Sequence, residues 1–345
     1  MSPRPLGFGI IGTGGMAARM AGTLRALPGV SLLGVASNSG RAPDFAARHG
    51  IASAHASAES LLALPGLDAV YVGNANRDHA AAILAAARAG KAVLCEKPFA
   101  LGQAEGAQVL EAVQRAGILF MEAIAPPFLP AHQRLAGHAT GRDAPLQLSA
   151  SFGYPEDAAL RPGLFAAGAL RDRGIYLLAL ALRLCGPVET LQAALRRGPE
   201  GQDREAALLL RHANGSLSQL TASLDRLLPN EVTLAAPGAL FRLPAPIMHP
   251  EALLTLPAPP PAAQGGEVPG QGLKAKLRRS PLLRRLRAAL PQGGREHLPW
   301  GEDPYAAEAA HFAELLRQGA TRSPILPPEL SLDLQRLMDQ ALESG

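Results

Sequence analysis

The stretch "GFGIIGTGGMAA", residues 7–18, decides the fold of the N-terminal half. Its first five residues are apolar or glycine and predict a short strand, and an Ala- and Leu-rich helix follows. Between them, Gly12, Gly14 and Ala17 form the pattern G-x-G-x-x-A, which suits a tight turn, close approach of a pyrophosphate, and packing of the helix on the strand. The predicted cofactor contacts of this turn are Gly12, Gly14, Gly15, Met16 and Ala17. An ordinary turn is the alternative, because the chain has 36 glycines.

The alternation of strand and helix continues for about 125 residues. Apolar runs predict further strands at "VSLLGVAS", "LDAVYVGN", "AVLCE" and "ILFMEAI". The segments between them predict helices, among them one from about Gly102 to Ala116. Strands and helices that alternate at this spacing predict a doubly wound parallel sheet with both faces covered. We therefore predict an α/β chain with a dinucleotide-binding Rossmann domain at residues 1–125.

Beyond Pro130 the pattern changes to successive strands. The predicted strands are "LQLSASFGY", "VETLQAALRR", "REAALLLRHA", "SLSQLTASL", "EVTLAA" and "GALFRL". Turn residues such as Asn214-Gly215 stand between several of them, and a helix is expected from about Gly168 to Leu184. We predict a C-terminal α+β domain at residues 126–345 with a largely antiparallel sheet. It includes a Pro- and Arg-rich insertion at about 257–297 and closing helices from residue 304.

Charge and cysteine content exclude several classes of protein. The net charge is +4, but residues 273–287 hold seven basic residues and no acid, and without them 26 basic residues stand against 29 acidic ones. A global electrostatic argument for nucleic-acid binding therefore fails. Cys95 and Cys185 lie far apart in the sequence and form no Cys-x-x-Cys pair, so neither a disulfide framework nor a cysteine zinc site is indicated. No apolar run is long enough to cross a bilayer. We predict a soluble cytoplasmic protein without a metal site.

The basic run at residues 273–287 leaves two interpretations open. Its leucines alternate with basic residues, as in a segment that binds an anionic surface or an acidic partner. A solvated insertion is the interpretation that we favour.

The end of the second predicted strand bears on the choice of cofactor. Sites specific for NAD usually carry an acid there, which holds the ribose hydroxyls. Here the strand ends "GVASNSGRAPD", with Ser37 and Asn38 in place of the acid and Arg41 near enough to meet a 2′-phosphate. We predict NADP in preference to NAD. A solvated position at a helix start is the alternative for Arg41.

Several motifs, taken in order, resemble one known family. "GFGIIGTGGMA", "DAVYVGNANRDHAAAILAAARAGKAVLCEKPFAL", "MEAIAPPFLP", "AGALRDRGIYLLALALRLCGP" and the closing "YAAEAAHFAELLRQGATRSPILPPELSLDLQRLMD" resemble the Gfo/Idh/MocA family. Its branch of dimeric dihydrodiol dehydrogenases and NADP-dependent xylose dehydrogenases looks nearest. The resemblance implies an NAD(P)-dependent oxidoreductase that acts on a sugar, a cyclitol or a related polyol or carbonyl. It also implies an open-faced C-terminal sheet that forms a homodimer or homotetramer.

The resemblance assigns catalytic roles to three residues. The family motif Glu-Lys-Pro matches Glu96, Lys97 and Pro98, and the family's lysine lies between nicotinamide and substrate. The family's Asp, followed four residues later by His or Tyr, matches Asp172 and Tyr176, which would share one face of a helix. We therefore predict that Lys97 holds the reacting oxygen, Tyr176 relays the proton and Asp172 orients the pair. A surface charge and a core tyrosine are the alternatives for the last two.

The loop after the strand "LDAVYVGN" is expected to line the nicotinamide side of the site. By resemblance, Asn74, Asn76 and His79 belong to this loop, and Glu96 and Lys97 adjoin it from the next strand. These five residues complete the set of predicted cofactor contacts.

Departures from the family pattern leave a second class of function open. Ala75 stands where the family has the proline of a Thr-Pro pair, Pro127 where it often has an arginine, and Arg173 where it has an Ile-like residue. These departures favour a dinucleotide-binding regulatory or assembly protein without turnover. The retained catalytic set favours an enzyme.

Overall fold

A six-stranded parallel sheet forms the N-terminal part of the structure, a computed structural model that describes residues 4–141, 144–157, 167–258 and 293–345. Its strands are β1 (Leu6–Ile11), β2 (Val30–Ala36), β3 (Ser53–His55), β4 (Leu67–Val72), β5 (Ala92–Glu96) and β6 (Phe120–Ala123). They lie in the order β3-β2-β1-β4-β5-β6. From β1 the chain adds β2 and β3 on one side of the sheet, and then returns to add β4, β5 and β6 on the other side. In sheets of this kind ligands bind beside the point between β1 and β4, outside the carboxyl ends of the strands.

Helices connect these strands and cover both faces of the sheet. They are α1 (Gly15–Ala26), α2 (Ala42–His49), α3 (Ala58–Leu62), α4 (His79–Arg88) and α5 (Gln103–Ala116). Because both faces are covered, β1, β4 and β5 are almost entirely buried, as their continuous apolar sequences require. The predicted doubly wound parallel sheet is confirmed, although the sequence had not indicated the three-residue strand β3.

An eight-stranded, mostly antiparallel sheet forms the C-terminal part. Its strands are β7 (Gln147–Gly153), β8 (Val188–Arg197), β9 (Asp203–His212), β10 (Leu217–Ser223), β11 (Val232–Ala236), β12 (Ala239–Leu243), β13 (Ala252–Pro257) and β14 (Gly294–His297). They lie in the order β14-β13-β12-β11-β7-β10-β9-β8, and within the described strands of this second sheet only the β7–β10 pair is parallel. Burial alternates along β9 and β10, so one face of the sheet packs on the core and the other is exposed.

The described residues contain four further α-helices. They are α6 (Pro130–Ala139), α7 (Ile175–Cys185), α8 (Ala306–Arg317) and α9 (Pro328–Ser344), and a π-helical turn, Leu170–Gly174, leads directly into α7. The closing helices return to the first sheet: the ring of Phe312 in α8 lies edge-on to that of Phe8, 6.1 Å away. One cluster of buried side chains therefore spans both sheets. The division into domains at residue 125 stays a prediction.

The predicted insertion lies between two paired strands. β13 ends at Pro257, β14 begins at Gly294, and the two strands pair antiparallel. Residues 259–292, which include the basic run 273–287, lie outside the described residues. In the described part of the chain, every helix is too short or too polar to cross a membrane.

Candidate active site

The glycine turn, residues 12–15, connects β1 to α1, and its geometry at Gly12 leaves no room for a side chain. Gly12 has φ +124°, and a Cβ atom there would lie 2.4 Å from the carbonyl oxygen of Gly73. A Cβ on Gly14 would meet only that oxygen, at 3.9 Å, and one on Gly15 would meet no atom within 4 Å. The start of α1 therefore has free space beside Gly14 and Gly15, which binding of a pyrophosphate at a helix N-terminus requires. The residues present fit a dinucleotide.

A cleft of about 650 Å³ opens in front of the glycine turn, at the carboxyl ends of the central strands. Of the residues predicted to bind the cofactor, those that line this cleft are Gly12, Gly14, Ser37, Asn38, Arg41 and Asn74. Sequence reasoning missed other lining residues, namely Thr13, Ser39, Ser57, Glu59, Arg77 and Asp78. Ser57 and Glu59 follow β3, and the unrecognised strand hid their position at the edge of the sheet. The capping serine Ser57, two residues before Glu59, was the available signal.

The segment after β2 forms a small polar cluster at one end of the cleft. The hydroxyl oxygens of Ser37 and Ser39 lie 2.8 Å apart, and Arg41 Nε donates to Ser39 Oγ at 2.9 Å. The acids among the lining residues, Glu59 and Asp78, come from other parts of the chain. The segment that follows β2 therefore offers hydroxyls and a cation at the position where NAD-specific sites place an acid.

The Lys97 junction, defined as Lys97, Asp172 and Tyr176, lies at the carboxyl end of β5. Lys97 Nζ donates to the carbonyl oxygen of Asp172 at 2.7 Å and to its Oδ1 at 2.9 Å. The same nitrogen lies 5.0 Å from the centre of the Tyr176 ring. The Lys97 side chain is 13% exposed and that of Asp172 is 22% exposed. The structure thus brings together the three residues with predicted catalytic roles.

The backbone that carries Asp172 and Tyr176 differs from the continuous α-helix expected from the sequence. Asp172 lies on the π-helical turn, and Tyr176 is the second residue of α7. Desolvation raises the pKa of Tyr176 well above that of an ordinary tyrosine, and the nearby carboxylates of Glu96 and Asp172 raise it further. Tyr176 is therefore protonated throughout the neutral pH range.

Glu96 and His79 lie next to the Lys97 junction. Tyr71 Oη donates a short hydrogen bond to Glu96 Oε1, and burial raises the pKa of this carboxyl. The Nδ1 atom of the fully buried His79 lies 2.8 Å from the carbonyl oxygen of Pro98, whose bond to Lys97 is cis. Burial lowers the pKa of His79. Both side chains thus adjoin the Lys97 segment and neither lines the cleft.

The other predicted cofactor contacts also lie beside the cleft and not on its lining. Ala17 is fully buried in α1, Met16 is half-buried, and Asn76 begins a 3-10 turn before α4. Ala17 thus has the packing position for which a small residue was expected. Among the described residues, no cluster of three His, Cys, Asp or Glu side chains has the arrangement of a metal site.

Two family models match the chain. Residues 6–123 match the model "Oxidoreductase family, NAD-binding Rossmann fold", and residues 129–235 match the GFO/IDH/MocA C-terminal domain. The chain belongs to the Gfo/Idh/MocA oxidoreductase family. The predicted family, the oxidoreductase class and the nicotinamide dinucleotide cofactor are thereby confirmed, and the regulatory alternative is not favoured.

Curated members of the family resemble the chain over most of its length. A trans-1,2-dihydrobenzene-1,2-diol dehydrogenase of Bos taurus is 29% identical over 331 residues, which are 93% of this chain and 91% of the relative. The Sus scrofa protein of the same name is 31% identical over 260 residues, 72% of this chain and 77% of the relative.

Solved structures share the fold at lower identity. A 3-ketoreductase from Actinomadura kijaniata, in complex with NADP, has a TM-score of 0.76 at 23% identity and covers 99% of this chain and 98% of its own. A levoglucosan dehydrogenase, in complex with NADH and levoglucosan, has a TM-score of 0.77 at 19% identity, with 99% and 97% covered. At these identities the likeness establishes the fold alone.

Proposed function

We propose that this chain is an NADP-dependent dehydrogenase that interconverts a hydroxyl and a carbonyl group on a sugar, a cyclitol or a related diol. The observation that carries the proposal is the ion pair between Lys97 Nζ and Asp172 Oδ1, 2.9 Å long, at the carboxyl end of β5. Ligands of this class of sheet bind at that edge, on which the dinucleotide cleft also opens. The names of the relatives, among them diol dehydrogenases and a levoglucosan dehydrogenase, support this substrate class.

The chemistry divides between cofactor and protein. When bound, NADP supplies the hydride acceptor or donor, and the protein has to hold the substrate oxygen and move a proton. Two of the three N–H groups of Lys97 donate to Asp172 within the part of the chain that the structure describes, which leaves the third for the substrate oxygen. Asp172 thus orients the amine.

Tyr176 is the proposed proton relay. Its raised pKa keeps the phenol protonated at neutral pH, so it gives its proton to the carbonyl oxygen in the reducing direction. The positive charge of Lys97 polarises the same oxygen. In the oxidising direction the substrate hydroxyl passes its proton to the oxygen of Tyr176 as the phenol passes its own proton to solvent, so Tyr176 is protonated before and after the step.

The polar cluster after β2 is the proposed site of the 2′-phosphate of NADP. The hydroxyls of Ser37 and Ser39 and the guanidinium of Arg41 are linked by contacts of 2.8 and 2.9 Å, and a doubly charged phosphate would accept hydrogen bonds from all three. NAD has a neutral hydroxyl at that position, which offers Arg41 no negative charge to pair with.

Absorbance at 340 nm tests the proposal. The purified protein is mixed with NADP⁺ or NAD⁺ and a panel of sugars, cyclitols and diols, and we expect reduction of NADP⁺ with at least one of them. Arg41→Ala should lower kcat/KM for NADP⁺ about 10- to 100-fold, because a hydrogen bond to a charged group contributes about 1.5–3 kcal/mol. The value for NAD⁺ should change less than about twofold, since that cofactor lacks the phosphate.

A second arginine of the cleft provides the matched control. Arg77 also lines the cleft, in the 3-10 turn that follows β4, and its Nε lies 3.9 Å from Asp78 Oδ2. Arg77→Ala should not discriminate between the cofactors. Binding of cofactor without redox change for any member of the panel would instead support the regulatory alternative, and equal losses for NADP⁺ and NAD⁺ in Arg41→Ala would refute the phosphate site.

We also propose a cytoplasmic homodimer or homotetramer that forms through the exposed face of the second sheet. Leu209 and Leu217 on that face are each 43% exposed, which supports a partner there. Sedimentation velocity tests the assembly and cell fractionation the location; a monomer or a membrane-bound pool would contradict them.

A further inference from the structure

The π-helical turn Leu170–Gly174 carries three consecutive charged residues, Arg171, Asp172 and Arg173. Asp172 faces the first sheet and accepts two hydrogen bonds from Lys97. Arg173 extends in the other direction, into the second sheet, where it is fully buried. This one turn therefore lies between the reacting centre and the second sheet.

The buried guanidinium of Arg173 is held by several acceptors. Its Nη1 donates to the carbonyl oxygen of Tyr154 at 2.6 Å and, in a shorter contact, to that of Ser223. Its Nη2 donates to Glu156 Oε1 at 2.9 Å. Two aromatic rings complete its surroundings, with the guanidinium carbon 3.7 Å from the centre of the Tyr154 ring and 5.6 Å from that of Phe152. The second sheet thus fixes the position of this cation.

Arg173 also reaches the carboxylate that orients the catalytic lysine. Its Nε lies 3.6 Å from Asp172 Oδ2, while Asp172 Oδ1 accepts from Lys97 at 2.9 Å. Lys97, Asp172, Arg173 and Glu156 therefore form a row of alternating charge. Because each carboxylate oxygen of Asp172 faces a cation, rotation of this group would break one of the two contacts.

A purely structural role would not require an arginine here. A buried ion pair is often no more stabilising than well-packed apolar side chains of the same volume, since both charges lose their hydration. Along this row, however, only a cation can face Asp172 Oδ2 and Glu156 together. The residue type is therefore explained by its contacts with two carboxylates and two carbonyl oxygens, and not by apolar packing.

We propose that Arg173 is a positioning residue for hydride transfer, which fixes Lys97 through Asp172 and couples its position to the end of β7. The proposal rests on the proposed function, in which Lys97 holds the substrate oxygen. Without Arg173 the carboxylate of Asp172 can turn, and the amine of Lys97 loses its defined direction.

Steady-state kinetics of Arg173→Met test the proposal. We expect kcat to fall about 10- to 100-fold while the Kd of NADP⁺ stays within about twofold, because misorientation of a catalytic group lowers kcat. Asp172→Asn should lower kcat at least as much. If Arg173 acts through Asp172, Arg173→Met should change kcat less than about twofold in the Asp172→Asn background. If kcat of the double variant instead falls by the product of the two single-variant losses, the proposal is overturned.

The matched control is the other arginine of the same turn. Arg171 Nη2 donates to the carbonyl oxygen of Leu101 at 2.9 Å and lies 3.3 Å from Asp339 Oδ1. Arg171→Met should therefore lower Tm while kcat stays within about threefold. An equal loss of kcat in Arg171→Met and Arg173→Met would point to general destabilisation of the turn and overturn the specific role.

Two further experiments test the role of Arg173. If Arg173→Met fails to fold, Arg173→Lys retains the cation but cannot reach Asp172 and both carbonyl oxygens together; it should lower kcat about 3- to 10-fold, and an unchanged kcat overturns the proposal. A crystal structure of the folded variant with NADP⁺ needs no turnover. We expect the Lys97–Asp172 contact to lengthen beyond hydrogen-bond distance, and an unaltered contact overturns the proposal even if the wild-type protein oxidises no substrate and the proposed function fails.

Discussion

The glycine turn and the Lys97 junction lie along the same edge of the first sheet, but they are assembled from different spans of the chain. The turn takes its residues from one segment after β1 and faces an open cleft of about 650 Å³. The junction joins Lys97 to Asp172, 75 residues later, and leaves the lysine side chain 13% exposed. The phosphate-binding turn therefore depends on local backbone geometry, whereas the arrangement of reactive groups depends on how the two sheets pack.

Removal of the catalytic amine should separate the two regions most clearly. Lys97→Met deletes the group that holds the substrate oxygen, and we expect kcat to fall by about 10³-fold, within the usual range for loss of an acid–base group. Because Lys97 does not line the cleft, the Kd of NADP⁺, measured by fluorescence titration, should stay within about threefold.

Another lysine near the same strand provides the control for this variant. Lys91 precedes β5, and its Nζ donates to the carbonyl oxygen of Leu67 at 2.9 Å, outside the junction. Lys91→Met should keep kcat near the wild-type value. Retention of wild-type turnover in Lys97→Met would refute the assigned role.

A buried carboxyl beside the Lys97 segment, that of Glu122, should make the free energy of unfolding depend on pH. Glu122, fully buried at the end of β6, accepts a hydrogen bond from the N–H of Phe99 at 2.9 Å, and burial raises its pKa to about 7. Between pH 4.5 and 7 the unfolded chain releases a proton that the folded chain keeps, so stability falls as the pH rises through this window. The loss is on the order of 3 kcal/mol, at about 1.4 kcal/mol for each pH unit.

Urea unfolding of the wild type and of Glu122→Gln at pH 5 and pH 8 measures this effect. The variant has no carboxyl to titrate, so its stability relative to the wild type should be greater at pH 8 than at pH 5 by that amount. Other titrating groups contribute equally to both proteins. Parallel pH dependences would show that Glu122 does not titrate in this window.

A pair of alanine variants tests the local character of the glycine turn. In Gly12→Ala the new Cβ would lie 2.4 Å from a carbonyl oxygen at φ +124°, and we expect a loss of about 1–3 kcal/mol that lowers Tm together with NADP⁺ affinity. In Gly14→Ala the Cβ enters the cleft without a close protein contact. Thermal unfolding of Gly14→Ala should therefore match the wild type, with weaker NADP⁺ binding. Equal Tm values for both variants would contradict the strain assigned to Gly12.

Most strands that carry their own apolar pattern were predicted, although β13, Ala252–Pro257, was not, and strands that depend on a partner were missed. β8 spans the ten residues "VETLQAALRR" that the sequence indicated. β14 consists of four exposed residues, Gly294–His297, with no apolar side chain, and it forms because β13 pairs with it. β3 has only three residues, too few for a period of two to be recognised.

The features of the candidate site also fall into two groups, those that the sequence indicated and those that it did not. The sequence located the glycine turn, Lys97 at a strand end, and Asp172 with Tyr176 on one helical segment. It did not indicate that Asp172 lies on a π-helical turn, nor that Arg173 extends into the second sheet. Either arginine of this turn could have been a solvated charge, and only burial distinguishes them.

By itself the sequence determined the parallel sheet, the glycine turn and the strand end that carries Lys97, because hydrophobic period and backbone sterics act over a few neighbouring residues. Only the tertiary structure decided that Lys97 meets Asp172, that Arg173 faces the other oxygen of that carboxylate, and that α8 and α9 return to the first sheet. These contacts join residues far apart in the chain. Their formation depends on the packing of whole elements against one another, which no local pattern specifies.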